Sequence, residues 1–190
     1  MENMPLYKKF FGHLYTINYH KFLVMKLCFK CGMYYQGLVH DLSKYSLQEF
    51  IPSVKYFQGN RSPISKEKEM LGYSYTWLHH KGRNKHHWEY WIDRDYITNE
   101  VTVYPMPFKY LLESCLDRIA ASKVYNKDKY NDEVPYHFFV NSREVKVMNP
   151  KDVEDISKLL LYLIENGERK ALEYYKSLYK QYKKDKNFTL

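Results

Sequence analysis

Residues 107–125 read PFKYLLESCLDRIAASKVY. Leu111, Leu112, Cys115, Leu116, Ile119 and Ala120 recur at three- and four-residue intervals, the period of a helix with a buried side. Pro107 suits the first turn, where its missing N–H has no intrahelical partner to lose. Asp117 breaks the apolar run. An uncompensated buried carboxylate costs several kcal/mol. A cation held from within a helical bundle removes that cost, and bundle interiors build such sites. Pairing with the adjacent Arg118 is the alternative.

Outward from this stretch, helical periodicity continues to dominate. Residues 4–33 read as one long helix, with Phe11, Leu14, Tyr15, Phe22, Met25, Leu27 and Phe29 near its inner side. Gly32 and Gly37 break it. A second helix is predicted over 42–57, ended by Gly59-Asn60. Ser65 is the expected N-cap of a third over 66–80, and Gly82 stops it. One or two further turns are expected over 86–93. Residues 97–104, ITNEVTVY, are the one strand-like run, a short hairpin arm or an extended loop. Residues 126–134 read as polar loop, and 136–141 are ambiguous. Asn149-Pro150 opens a helix to about 166, and Gly167 separates it from a last helix to about 184. The expected class is all-α, in a single domain over 1–190.

The histidines are clustered. Four of the eight lie in residues 79–87, HHKGRNKHH. His40 is followed directly by Asp41, and His20 lies on the first helix. Imidazole and carboxylate are the ligands of borderline divalent ions such as Mn, Fe, Co, Ni and Zn. Neighbouring side chains diverge along a regular helix by about 100°. His40 and Asp41 can therefore share an ion only where the backbone turns, and Gly37 provides for a turn there. His13 and His137 have no companions and read as structural or surface residues. The HHKGRNKHH run could equally be a basic solvated loop.

Charge and composition narrow the field. The chain has 190 residues, with 45% hydrophobic and 27% charged, enough to bury a core without disulfides. Its three cysteines suit a reducing, cytoplasmic compartment. No apolar run is long enough for a membrane span, and no signal peptide is read. Thirty Lys and Arg against 22 Asp and Glu leave a net charge of +8, which attracts phosphorylated molecules or polyanions. The C-terminal lysines, from Lys176 to Lys186, alternate with Tyr174, Tyr175, Tyr179 and Tyr182. That pattern fits a nucleic-acid surface. The favoured reading is an amphipathic helix with Leu172, Tyr175, Leu178, Tyr179 and Tyr182 inward and the lysines solvated.

The order His, His-Asp, His cluster, Asp resembles that of the HD-domain superfamily, mainly metal-dependent phosphohydrolases on a core of about five helices. The resemblance covers roughly residues 13–125, with 126–190 as a helical C-terminal extension. It maps the superfamily's basic motif onto His20, His40, Asp41 and Asp117. The run HDLSK resembles the His-Asp-x-x-Lys form of many members and places Lys44 near the site. Members with a second ion add histidines between the doublet and the last Asp, which implies His80, His86 and His87. More narrowly, HDLSKYSLQEF, HHKGRNKHHWEYW and LDRIAASK resemble a small bacterial and phage family of unknown function, DUF5662. One departure concerns the cyclic-dinucleotide phosphodiesterases of the superfamily. Their middle histidines are spread more widely, whereas here the cluster is compact and Trp88-Glu89-Tyr90 follows it.

The resemblance implies hydrolysis of a phosphoester, for instance a nucleotide, with one or two divalent transition ions as cofactor. Asp41, Lys44 and Glu89 are the expected catalytic residues, with Glu49 a further candidate for orientation or proton transfer. Lys44, Lys81 and Arg83 are expected to neutralise phosphate oxygens. Trp77, Trp88, Tyr90 and Trp91 read as packing rather than as a stacking platform for a base. Two alternatives remain at this level. Some HD-fold proteins use two irons for oxygenase chemistry, and a non-catalytic nucleic-acid or nucleotide-binding module would use the basic surface. A homo-oligomer is compatible with either.

Overall fold

The computed structural model describes residues 4–190. Helix α1 spans Leu6–Lys30 and buries His13, Ile17, His20, Val24, Leu27 and Cys28, at three- and four-residue spacing. This corrects the expected inner side. Phe11, Tyr15 and Phe22 are exposed, so the large aromatics mark the outer face. Aromatic size alone misleads here, because the buried stripe of α1 uses small aliphatics, a cysteine and two histidines.

After Gly32, which adopts φ 76°, the chain forms α2 (Tyr34–Val39), a short helix missing from the sequence reading. A 3-10 turn follows at Leu42–Tyr45, then α3 (Leu47–Tyr56). The expected single helix over 42–57 is thus broken. Ser46 is extended, and the turn before it is closed by Lys44 N–H to Asp41 O and Ser46 N–H to Ser43 O, both three-residue bonds. The expected helix over 66–80 also divides, into α4 (Pro63–Leu71) and α5 (Tyr75–Lys81). Pro63 rather than Ser65 opens α4, with Ser62 at the N-cap position. Gly72 ends it at φ 81°. Ser74 restarts the chain by accepting the Trp77 N–H at 2.9 Å.

The hairpin exists, with its second arm inside the expected run over 97–104 and its first arm before it. Strand β1 (Ile92–Arg94) pairs antiparallel with β2 (Val101–Val103), Asp93 opposite Thr102. Residues 97–100 form its tip, where Asn99 is left-handed and the Asp95 carboxylate accepts from Ile97 and Thr98. Helix α6 (Phe108–Asn126) follows Pro107 as expected and is buried on most sides. Helix α7 (Val134–Val140) occupies the segment read as loop and ambiguous structure. The last helix, α8 (Pro150–Lys184), is interrupted at Gly167, as the sequence predicts, with φ 73° and ψ 159°.

One core joins these parts. Val24, Leu27 and Cys28 of α1 meet Leu112, Cys115, Leu116 and Ile119 of α6, which meet Ile156, Leu159, Leu160, Leu163 and Tyr175 of α8. Helix α8 is therefore integral to the core rather than an appendage. Its second half buries Leu172, Tyr175, Leu178 and Tyr182, and its lysines face outward. Cys28, Cys31 and Cys115 are buried thiols. No helix among the described residues is long and apolar enough to cross a membrane. Because α6 runs through the middle against α1, any polar group on its inner face is held at the centre of the molecule.

Candidate metal centre

The polar face of α6 carries Glu113 and Asp117, one turn apart. Opposite, α1 presents His20. The chain between α2 and the 3-10 turn presents His40 and Asp41. Asp41 sits in the left-handed region at φ 54° and ψ 25°, uncommon for a residue with a side chain. This is the turn that the adjacent pair requires in order to face one point. Helix α5 supplies His80, and the loop after it supplies His86 and His87.

These side chains converge. His20 Nε2 lies 2.9 Å from Asp117 Oδ1 and 3.7 Å from Asp41 Oδ2. His40 Nε2 lies 3.3 Å from Asp41 Oδ2 and 3.5 Å from Asp117 Oδ1. On the other side of the same carboxylate, His80 Nε2 and His86 Nε2 are 3.3 Å and 3.4 Å from Asp41 Oδ1. Three overlapping groups have donor atoms all within 4.8 Å of one another: His20–His40–Asp41–Asp117, Asp41–His80–His86–His87 and His40–His86–Glu113. The first two share Asp41.

The contacts are close but not aligned for hydrogen bonding. His20 Nε2, His40 Nε2, Asp41 Oδ1, His86 Nε2 and His87 Nε2 are all buried without a hydrogen-bond partner among the described residues. Buried polar atoms ordinarily find partners, and four such nitrogens around one carboxylate, with that carboxylate's own Oδ1 also unpartnered, call for an explanation. The opposite edges of the rings, by contrast, are anchored. His40 Nδ1 donates to Glu113 Oε1 at 2.9 Å, and His80 Nδ1 donates to Glu49 Oε2 at 2.8 Å. Glu49 also accepts from His79 Nδ1 at 2.6 Å, and His86 Nδ1 faces Glu113 at 3.3 Å. Anchoring Nδ1–H on a carboxylate leaves the Nε2 lone pair of His40 and His80 pointing inward, the arrangement of a metal-binding histidine.

Electrostatics agree with this reading. Four carboxylates, Asp41, Glu49, Glu113 and Asp117, meet two ammonium groups: Lys44, whose Nζ lies 2.5 Å from Asp41 Oδ2, and Lys21, which donates to the His40 carbonyl at 2.9 Å. Burial opposes charge on His40 and His80, but their carboxylate neighbours, Asp41 foremost, outweigh it and raise both imidazoles, so an ion bound there would displace a proton to reach each Nε2 lone pair. Burial likewise disfavours the Asp41 and Asp117 anions. His40, Lys44 and His80 around Asp41, and His20 and His40 around Asp117, nevertheless hold both far below the usual carboxylate range. His87 is driven the other way, by burial and then by His86 and His80, and stays neutral. The donor set suits a borderline divalent ion, whose charge offsets the excess of buried carboxylate.

The remaining residues named from sequence fall in different places. Lys44 is beside Asp41 and lines a chamber of about 310 Å³ that also exposes His20, Glu49, His80, His87 and Asp117. Lys81 and Arg83 do not line it. Arg83 is exposed and donates to the His79 carbonyl at 3.3 Å. Arg118, which was set against Asp117 as a partner, turns to Glu144 at 2.6 Å and contributes to the chamber wall. Glu89 accepts from Trp77 Nε1 at 3.1 Å, and burial raises its carboxyl, but it does not face the chamber. Trp88 and Trp91 pack against the core, while Trp77 forms part of the chamber wall. Glu113 went unnoticed in sequence. Its signal was its position four residues before Asp117, on the same helical face.

The sequence profile of DUF5662, described as a family of unknown function, matches residues 9–161. The chain belongs to DUF5662. The match contains every residue of the metal centre and all of α1 but its first turn, and it ends within α8. No curated protein and no solved structure matches this DUF5662 chain.

Proposed function

We propose that this protein is a metal-dependent phosphohydrolase of the HD type, acting on a phosphoester. The observation that carries the reading is the ring of buried, unpartnered Nε2 and Oδ atoms around Asp41, anchored from behind by Glu49 and Glu113 and open to a chamber beside Lys44. His20, His40, Asp41 and Asp117 would hold one ion, and His80, His86 and His87 a second, with Asp41 common to both. A bound divalent ion supplies Lewis acidity toward a phosphoryl oxygen and a nucleophilic water near neutral pH. The chain's own residues do the rest. Asp41 holds Lys44 through its Oδ2, and the Lys44 ammonium, kept charged by Asp41 and Asp117, meets a phosphate oxygen entering the chamber. Glu113 and Glu49 fix the His40 and His80 rings so that Nε2 presents a lone pair.

The test is reconstitution with Mn, Fe, Co, Ni or Zn, elemental analysis, and assay against a panel of phosphate monoesters and nucleotides. Bound ion and phosphate release, both lost in Asp41→Asn, are expected. A chain that retains no ion from any of the five metals refutes the site. The shared Asp41 and the mixed imidazole–carboxylate set also suit two irons. Oxygen consumption by the iron-loaded chain, with a silent phosphatase panel, would transfer the assignment to an oxygenase.

A further inference from the structure

Among the polar side chains that line the chamber outside the metal centre, His13 and Thr76 stand apart, because their polar atoms are buried and unpartnered, whereas Thr16 and Asn126 bond within their own helices. His13 is 4% exposed, and neither of its ring nitrogens has a partner among the described residues. It lies against Phe50 and Phe57, with ring centroids at 5.2 and 5.9 Å. Burial, with Lys44 adding to it, lowers its pKa to about 4, so at neutral pH the ring offers one donor and one acceptor. Thr76 is 3% exposed, and its hydroxyl is likewise unpartnered.

Both line the same chamber as the metal centre. Their positions along the helices are informative. His13 precedes His20 by two turns of α1, so it shares that face at a distance of about 10 Å. Thr76 precedes His80 by one turn of α5, about 6 Å along the axis. The wall between is mainly apolar, with Ile17, Pro63, Ile64, Trp77, Val124 and Phe138. The charged lining groups, Lys44, Glu49, Asp117 and Arg118, all belong to the metal centre or adjoin it in sequence. A ligand site of this kind is an apolar cavity with a few convergent polar groups that fix orientation.

We infer, on the basis of the phosphohydrolase reading, that His13 and Thr76 form the subsite that recognises the organic body of the substrate. The body is compact and uncharged, with a donor–acceptor pair that meets the His13 ring and a polar atom that meets Thr76. Its phosphate lies toward Lys44. An anionic body is disfavoured, because the chamber's two fixed cations, Lys44 and Arg118, are already paired with Asp41 and Glu144. A body without the donor–acceptor pair leaves a buried imidazole unpaired and binds more weakly.

The test uses the manganese-loaded full chain and uncharged probes, namely the four ribonucleosides and benzamide. Binding is read by titration calorimetry, separately from phosphate release. At least one probe is expected to bind. His13→Phe keeps the ring volume and removes both nitrogens, and it should weaken that binding tenfold or more while the bound manganese remains stoichiometric. His13→Gln should restore part of the affinity. Thr76→Val provides a second, independent loss should His13→Phe fail to fold. Binding of no probe by the parent chain, or equal binding by parent and variants, overturns the inference. Phosphate release together with unaltered probe binding in the variants sinks the subsite and leaves the hydrolase. A silent phosphatase panel with His13-dependent probe binding sinks the hydrolase and leaves the subsite.

Discussion

Asp41 joins backbone and chemistry at one residue. Its left-handed conformation turns the chain after α2, and its two oxygens face different groups of histidines. Asn tolerates that conformation nearly as well as Asp. Asp41→Asn should therefore keep the helical circular dichroism while bound metal, read by elemental analysis, falls from stoichiometric to near zero. His13 gives a separable pH effect. Its folded-state pKa of about 4 lies below the ordinary 6.5, so the fold favours the neutral ring. Stability from this source is complete above pH 6.5 and is lost as pH falls toward 4, because the unfolded chain takes up the proton first. The expected loss is on the order of 2 kcal/mol, and His13→Phe should flatten that limb of a melting-temperature–pH profile. From sequence His13 reads as an unaccompanied structural or surface histidine; the structure buries it. What sequence could not reveal is the absence of partners for its nitrogens, which depends on Phe50 of α3 and on Phe57 just after that helix.

Helices hold the rest of the centre in place. Glu113→Gln replaces the carboxylate that orients His40 and faces His86 with a neutral amide, a weaker acceptor, so metal affinity should drop about 10- to 100-fold in a competition titration. The interruption of α8 has a different cost. Gly167 occupies φ 73° and ψ 159°, which a side chain resists, yet a methyl group there would meet no atom within 4 Å. Gly167→Ala should cost about 2 kcal/mol from backbone strain alone, read as a lower midpoint in urea. At this scale the strongest periodic segments were legible. Residues 107–125, the break at Gly167 and the inward face of 172–182 all read correctly. The divisions at Ser46 and Gly72–Ser74 did not, because turn chemistry there outweighs helical propensity. The α1 face was misjudged because its histidines and Cys28 lie inside while tyrosines and phenylalanines lie outside.

The whole molecule assembles the site from α1, the α2 turn, α5 with its following loop, and α6. Motif order named His20, His40, Asp41, His80, His86, His87 and Asp117, which geometry brings within reach of one another. It did not separate Lys44, which faces the chamber, from Lys81 and Arg83, which do not, since basic residues look alike without a surface to face. An ion that binds only the folded chain stabilises it by mass action, about 2.7 kcal/mol at one hundred times its Kd. Melting temperature should rise with added Mn or Zn and return with a chelator. The donor positions run from residue 20 to residue 117, and they meet only after α1 has closed against α6. A cation that needs all of these donors therefore binds the assembled fold and not its separate segments. In stopped-flow experiments it should leave the refolding limb of the chevron where it is and retard only the unfolding limb.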